Sequence, residues 1–172
     1  MIQNKLKIND KKTQFLVIKQ QHLAKHFQNT SINIGNSIIH QVTKAKNLGV
    51  ILDQCLTMNS QVSETCRKCF YHLRNISAIR KYLSQEAIAQ LIHSLVTSRL
   101  DYCNAALIGV TDANLKKLQR IQNVAARILT CTPRDHHITP VLFRLHWLPV
   151  EARILFKILM FTFKAYHKTA PS

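Results

Sequence analysis

The spacing of apolar residues changes near residue 59, and the change divides the chain. Before it, apolar residues come in short runs that suit strands. Residues 13–18 (Thr-Gln-Phe-Leu-Val-Ile) have strong strand preference. Residues 31–34 and 37–42 flank Gly35-Asn36, a two-residue hairpin signal. Residues 47–53 (Asn-Leu-Gly-Val-Ile-Leu-Asp) read as a further strand, with Gly49 at a bulge or a close backbone approach. Residues 20–30 read as a surface loop. Four short strands without an intervening helix predict a small antiparallel piece.

From Asn59 onward the period is helical. Val62, Cys66, Cys69, Leu73 and Ile76 form one stripe, with Asn59 or Ser60 as cap and Glu64 suited to the first turn. Ser84 caps a second helix whose stripe is Ile88, Leu91, Ile92, Leu95 and Val96. A third starts near Thr111-Asp112 and presents Leu115, Leu118, Ile121, Ala125, Ile128 and Leu129. Thr139-Pro140 reads as a cap followed by Pro at the first helical position, opening a short helix. Pro149 ends it, and residues 150–166 form the last helix, with Ile154, Leu155, Ile158, Leu159 and Phe163 as its apolar stripe. The pattern predicts an α+β chain: a β-rich piece over residues 1–55, then an all-α helical bundle over residues 56–172.

Charge changes the picture more than composition does. Twenty-four Lys and Arg face eight Asp and Glu, a formal net charge of +16. So large an excess repels itself in a compact fold, which makes a polyanion the expected partner. No apolar run reaches the ~20 residues of a membrane span, and the N-terminus lacks the apolar core of a signal peptide. Five cysteines, an odd number in a chain without an export signal, argue against a disulfide framework and for an intracellular setting, cytoplasm or nucleus.

The third helix separates its charges. At about 100° per residue, Lys116, Lys117, Arg120 and Arg127 cluster opposite the apolar stripe, where they could track a phosphate backbone. Arg99 falls within the apolar arc of the second helix and needs a partner, for which Asp101 is nearest in sequence. With Tyr102 and Asn104, these two residues make a structural corner joining the second helix to the third. Cys66-x-x-Cys69 lacks the second ligand pair of a structural zinc site and lies in a core stripe, so no metal site is expected. The acids are scattered, no two are placed to hold paired metal ions, and neither a nucleophile elbow nor a Gly-rich phosphate loop occurs. Read from its residues, the chain is not an enzyme and carries no cofactor.

Several runs resemble the non-LTR (LINE-type) retrotransposon reverse transcriptases, especially the chicken-repeat-like elements. Lys5-Leu-Lys-Ile-Asn9, Lys12-Thr-Gln-Phe-Leu-Val-Ile18 and Lys46-Asn-Leu-Gly-Val-Ile-Leu-Asp53 are similar to the closing palm segments. Tyr71-His-Leu-Arg-Asn75, Ser98-Arg-Leu-Asp-Tyr-Cys-Asn104, Leu118-Gln-Arg-Ile-Gln-Asn-Val-Ala-Ala-Arg127, Ile138-Thr-Pro140 and Leu145-His-Trp-Leu-Pro149 resemble the downstream region, as do Arg153 and Phe156-Lys157. The resemblance implies that Lys12 matches the lysine of the fourth palm motif, which acts near the leaving pyrophosphate. It implies that Leu48, Gly49 and Val50 belong to a primer-grip hairpin, and that the helices after Asp53 are a thumb that clasps template–primer.

The family's paired-Asp strand would lie upstream of Lys5, as would the fingers, and the family's Mg²⁺ ions bind that Asp pair. Without them in-line phosphoryl transfer lacks its electrostatic stabilisation. The expectation is therefore a fragment of an RNA-directed DNA polymerase, ending at Pro171-Ser172 where family members continue. It retains at most sequence-independent binding of RNA, DNA or their hybrid. Three alternatives remain: a subunit completed by another polypeptide carrying the rest of a reverse transcriptase, a helical protein-interaction module kept by a host, and the non-functional product of a decayed element.

Overall fold

The change of period near residue 59 is a change of architecture. In a computed structural model the described residues are 9, 12–20, 30–35 and 37–169. Among the described residues five short strands are followed by helices, an α+β chain. It divides into two compact units, Met1–Gln61 and Val62–Ser172. The expected loop over residues 20–30 lies almost wholly outside the described residues, as does Lys5-Leu-Lys-Ile.

In the first unit, strands β2 (Ser31–Ile34) and β3 (Ser37–Val42) pair antiparallel, from Ser31 opposite His40 to Ile34 opposite Ser37. The Gly35-Asn36 signal predicts this hairpin, and Gly35 takes the positive φ of +59° that such a turn demands. Strand β1 shrinks to Phe15–Leu16 and runs parallel to β3, so the piece is not purely antiparallel. The reason is connectivity: β1 and β3 are separated by a long connection that contains β2, which allows a parallel return.

The expected strand over residues 47–53 is instead the second half of a hairpin. Strand β4 (Lys44–Asn47) pairs antiparallel with β5 (Val50–Asp53) across Leu48-Gly49. Both turn residues have positive φ, +46° and +86°. That is the demand of the two-residue turns that match strand twist, so Gly49 serves a turn rather than a bulge. Asp53 then closes the unit. Its carboxylate accepts from the backbone N–H groups of Cys55, Thr57 and Met58 at 2.9–3.1 Å, and from the Thr57 hydroxyl.

The second unit rests on six α-helices, the first of which begins just before it. Helix α1 spans Asn59–Ile79 and continues as a 3₁₀ turn over Arg80–Tyr82. Val62, Cys69, Leu73 and Ile76 are buried as the stripe predicts, while Cys66 is half-buried. Neither Asn59 nor Ser60 sits outside the helix as a cap. Thr57 accepts from the Asn59 N–H, and Glu64 lies past the first turn, where Arg67 and Lys68 pair with it.

Helix α2 (Gln85–Ile92) starts as expected, with the Ser84 hydroxyl accepting from the Ala87 N–H at 3.2 Å. It runs on as a π-helical segment, His93–Thr97, into α3 (Ser98–Asp101). Helix α4 (Asp112–Thr130) buries Leu118, Ile121, Ala125, Ile128 and Leu129, each large one worth about 1.5–3 kcal/mol of apolar burial. It also buries three residues that the apolar stripe omits: Asn114, Gln122 and Ala126. Helix α5 (Thr139–Arg144) packs Val141 and Leu142 on Ala126, with Trp147 alongside.

Helix α6 spans Val150–Tyr166, the predicted bounds, but its stripe is not buried as predicted. Only Val150 and Ile154 are buried, whereas Leu155, Leu159 and Phe163 are exposed. No helix among the described residues is long and apolar enough to cross a membrane.

Candidate nucleic-acid interface

Helix α4 puts its chemistry and its core on opposite sides. Lys116, Lys117 and Arg120 are all exposed; Lys116 and Arg120 lie on the face away from Leu118 and Ile121, whereas Lys117 borders the buried arc, about 40° from Ile121. Lys117 Nζ lies 3.4 Å from Asn114 Oδ1, and its charge opposes the burial that pushes the nearby Cys66 thiol up.

Arg127 departs from the free basic face expected of it. It is half-buried, and its guanidinium donates to the carbonyls of Pro133 and His136, the second at 2.8 Å. The chain after α4 folds back over that end of the helix, because Cys131 takes a left-handed conformation (φ +55°) and turns it. Arg127 therefore pins this return while its edge still faces a cleft.

That cleft lies between α1 and α4 and holds about 930 Å³. Five arginines line it: Arg74, Arg80, Arg120, Arg127 and Arg134. No Asp or Glu lines it, and none of the ion pairs among the described residues involves these arginines. Arg80 reaches across to the Ile128 carbonyl at 3.4 Å, tying α1 to α4. The small side chains Ser77 and Ala78 also line it. The periodicity of any single helix does not disclose Arg74, Arg80 and Arg134, because they join Arg120 and Arg127 only once separate elements are assembled. The available signal was Arg74 followed by Ser77 and Ala78 at i+3 and i+4, a cation beside two small residues on one face.

Beside the cleft is a second cavity of about 620 Å³, largely apolar and lined by Leu142, Phe143, Trp147 and Leu148 among others. The two cavities meet at Asn123, which lines both. Its wall is held by a polar network: Gln119 Nε2 donates to Gln122 Oε1 at 2.9 Å and to Asn123 Oδ1 at 2.8 Å. Gln119 Oε1 accepts from the Val150 N–H, the first of α6, and Gln122 Nε2 donates to the Leu148 carbonyl.

No family model, curated protein or solved structure matches the chain. The functional reading therefore rests on the residues and their arrangement.

The corner at residues 98–104 is built differently from the expected one. Arg99 is exposed and donates to the Leu95 carbonyl at 3.0 Å rather than to Asp101. Asp101 takes Arg153 of α6 instead, Nε to Oδ1 at 2.8 Å with the second guanidinium N–H on Oδ2. The cause is the π-helical segment. It carries about one extra residue per turn, which sets later positions back by roughly 100°. Leu100 then occupies the apolar arc and is buried, and Arg99 is rotated out. Tyr102 ends α3, donating its N–H to the Ser98 carbonyl, and Cys103 turns the chain with φ +51°. Asn104 is buried, its Oδ1 without a hydrogen-bond partner, beside a cavity of about 350 Å³.

In the first unit, Leu48 and Gly49 form the tip of the β4–β5 hairpin, with Leu48 exposed and Val50 buried. Lys12 is exposed in a turn before β1, its N–H donating to the Asn9 carbonyl. Cys69 is buried and its thiol is pushed up to about 11 by that burial, which suits a core side chain rather than a ligand. Among the described residues no three His, Cys, Asp or Glu converge as a metal site.

Proposed function

We propose that the helical unit binds nucleic acid without sequence preference, as the thumb-like part of a LINE-type reverse transcriptase would. One observation supports the reading above all: five arginines line a single groove and no carboxylate answers them. Guanidinium groups suit phosphate because their forked donors match its oxygens, and a groove of them tracks a backbone rather than base edges. Lys116 and Lys117 extend the same charge along α4. The proposal assigns no polymerase chemistry and no cofactor to these residues.

Filter binding across a salt series tests it. A duplex or hybrid of arbitrary sequence should bind at low salt and weaken steeply as salt rises, by counterion release. Combining Lys116→Ala, Lys117→Ala and Arg120→Ala should flatten the log–log slope by about 2 to 3, near 0.9 per lost phosphate contact. No binding at low salt, or binding indifferent to salt, would refute the proposal.

A second reading has its own support. Leu155, Phe156, Leu159, Phe163 and Tyr166 are all exposed and fall within about 100° of arc on α6. A stripe of that kind suits a protein partner. Such a partner's binding would survive the triple alanine variant and fail with Leu159→Ser and Phe163→Ser.

A further inference from the structure

The two cavities on the helical unit have complementary chemistry and touch. One is cationic and lined by arginines; the other is largely apolar, with Phe143 and Trp147 in its wall. Around α4, Arg120 and Arg127 face the first, Gln119 faces the second, and Asn123 stands on the border. A duplex presents phosphates and base edges, with its base faces stacked inside. A single strand presents phosphates and unstacked base faces together, alternating along the chain, and proteins that hold it combine a cationic groove with aromatic platforms.

We propose that this pair of cavities is a binding site for single-stranded nucleic acid, with the backbone in the arginine cleft and a base in the adjoining pocket. The inference rests on the nucleic-acid reading and adds the strandedness of the ligand. Phe143 is the stacking platform: it is 82% exposed, a position with no packing role, on the edge of an apolar cavity. Trp147 is half-buried against α4 and α5, with its ring held edge-on by His93 at 5.6 Å between centroids. It is thus a fixed wall rather than a mobile clamp. The volume of about 620 Å³ lies within the ~300–1,000 Å³ of ordinary ligand clefts, ample for a base and its sugar. The lining is mostly apolar, and the amide of Gln119 is already engaged with Gln122, Asn123 and Val150, so the inference concerns strandedness and assigns no base preference.

Trp147 is the chain's single tryptophan, which gives a direct readout. The full chain is titrated with a fluorescein-labelled 12-nucleotide single strand, with the same sequence as a blunt duplex, and with inorganic polyphosphate. The single strand should bind more tightly than the duplex and quench Trp147, the quench saturating with the anisotropy change. Polyphosphate should compete for the cleft without quenching. Phe143→Ala, a substitution on the surface, should weaken single-strand binding by about 5- to 150-fold, the worth of one stacked base. It should leave duplex binding and the salt slope unchanged. Arg74→Ala with Arg120→Ala should weaken both forms and flatten the slope.

Equal affinity for both forms, no quench, or no effect of Phe143→Ala would overturn the inference. Salt-dependent, arginine-dependent binding in that case would leave the parent reading standing. No binding of either form at low salt would overturn both.

Discussion

The contact between Asp101 and Arg153 is the sharpest test of how the helical unit is held. It spans 52 residues of sequence and ties the end of α3 to the first turn of α6. The pair is bidentate, with the Arg153 side chain 21% exposed and that of Asp101 38% exposed. Fully exposed pairs contribute 0.2–1 kcal/mol, and charge-assisted bonds to ionised groups about 1.5–3 kcal/mol. Since Asp101 keeps more than a third of its surface in water, screening brings the expected coupling down to about 1 kcal/mol. Asp101→Asn and Arg153→Met preserve shape and stem, so each should cost about 1–2 kcal/mol, and the double variant should cost less than their sum by that coupling. Urea unfolding followed by Trp147 emission measures all four corners of the cycle in the unit concerned. Arg99→Met, an exposed position, should cost no more than about 0.5 kcal/mol and show no coupling to Asp101→Asn. A coupling below about 0.3 kcal/mol for Arg153, within the error of additivity, or a larger one for Arg99, would refute the assignment.

Two further predictions concern hydrogen-bonded polar side chains. Burial pushes the Asp53 carboxyl up, but hydrogen bonds from Thr57, Cys55 and Met58 outweigh it, so the group stays below the ordinary 3.8. Its contribution should be complete above that value and lost as pH falls through the lowered one. The stability gap between the wild type and Asp53→Asn in urea should therefore hold from pH 6 to 4.5 and shrink below pH 3.8; a gap that stays constant to pH 2 would contradict this. Gln122→Leu removes the donor to the Leu148 carbonyl and the acceptor for Gln119, and should cost about 1–2 kcal/mol in the same assay. A neutral outcome would mean the network does not hold the start of α6.

What the sequence disclosed follows from how local each feature is. The β2–β3 hairpin, the Ser84 cap and the bounds of α6 are set by a turn dipeptide, a hydroxyl and a proline. All three act within four residues and were readable. The β4–β5 turn was misread because Asn47-Leu48-Gly49-Val50 has an apolar residue at a positive φ, where a polar one is the usual signal. Arg99 was misplaced because a π-helical turn leaves no mark in an apolar pattern counted at a fixed angle. The exposed stripe of α6 looked like core for the same reason that it is now a surface feature: periodicity reports amphipathicity and not the presence of a partner.

The candidate site shows the same division more sharply. Lys116, Lys117 and Arg120 were visible because one helix carries them. The cleft was not, since Arg74, Arg120 and Arg134 are distant in sequence and meet only when α1, α4 and the return after Cys131 are assembled. That assembly uses polar side chains, one buried and two half-buried: Gln119 and Gln122 fix α6 to α4, and Arg127 fixes the return. Helix α4 thus contributes both packing and charge. The side chains that make the cleft cationic include one, Arg127, whose hydrogen bonds also shape it, so its removal would alter the groove as well as its charge. Arg74 and Arg120 are exposed, and among the described residues neither side chain is tied to the backbone, which makes them the cleaner probes of charge alone.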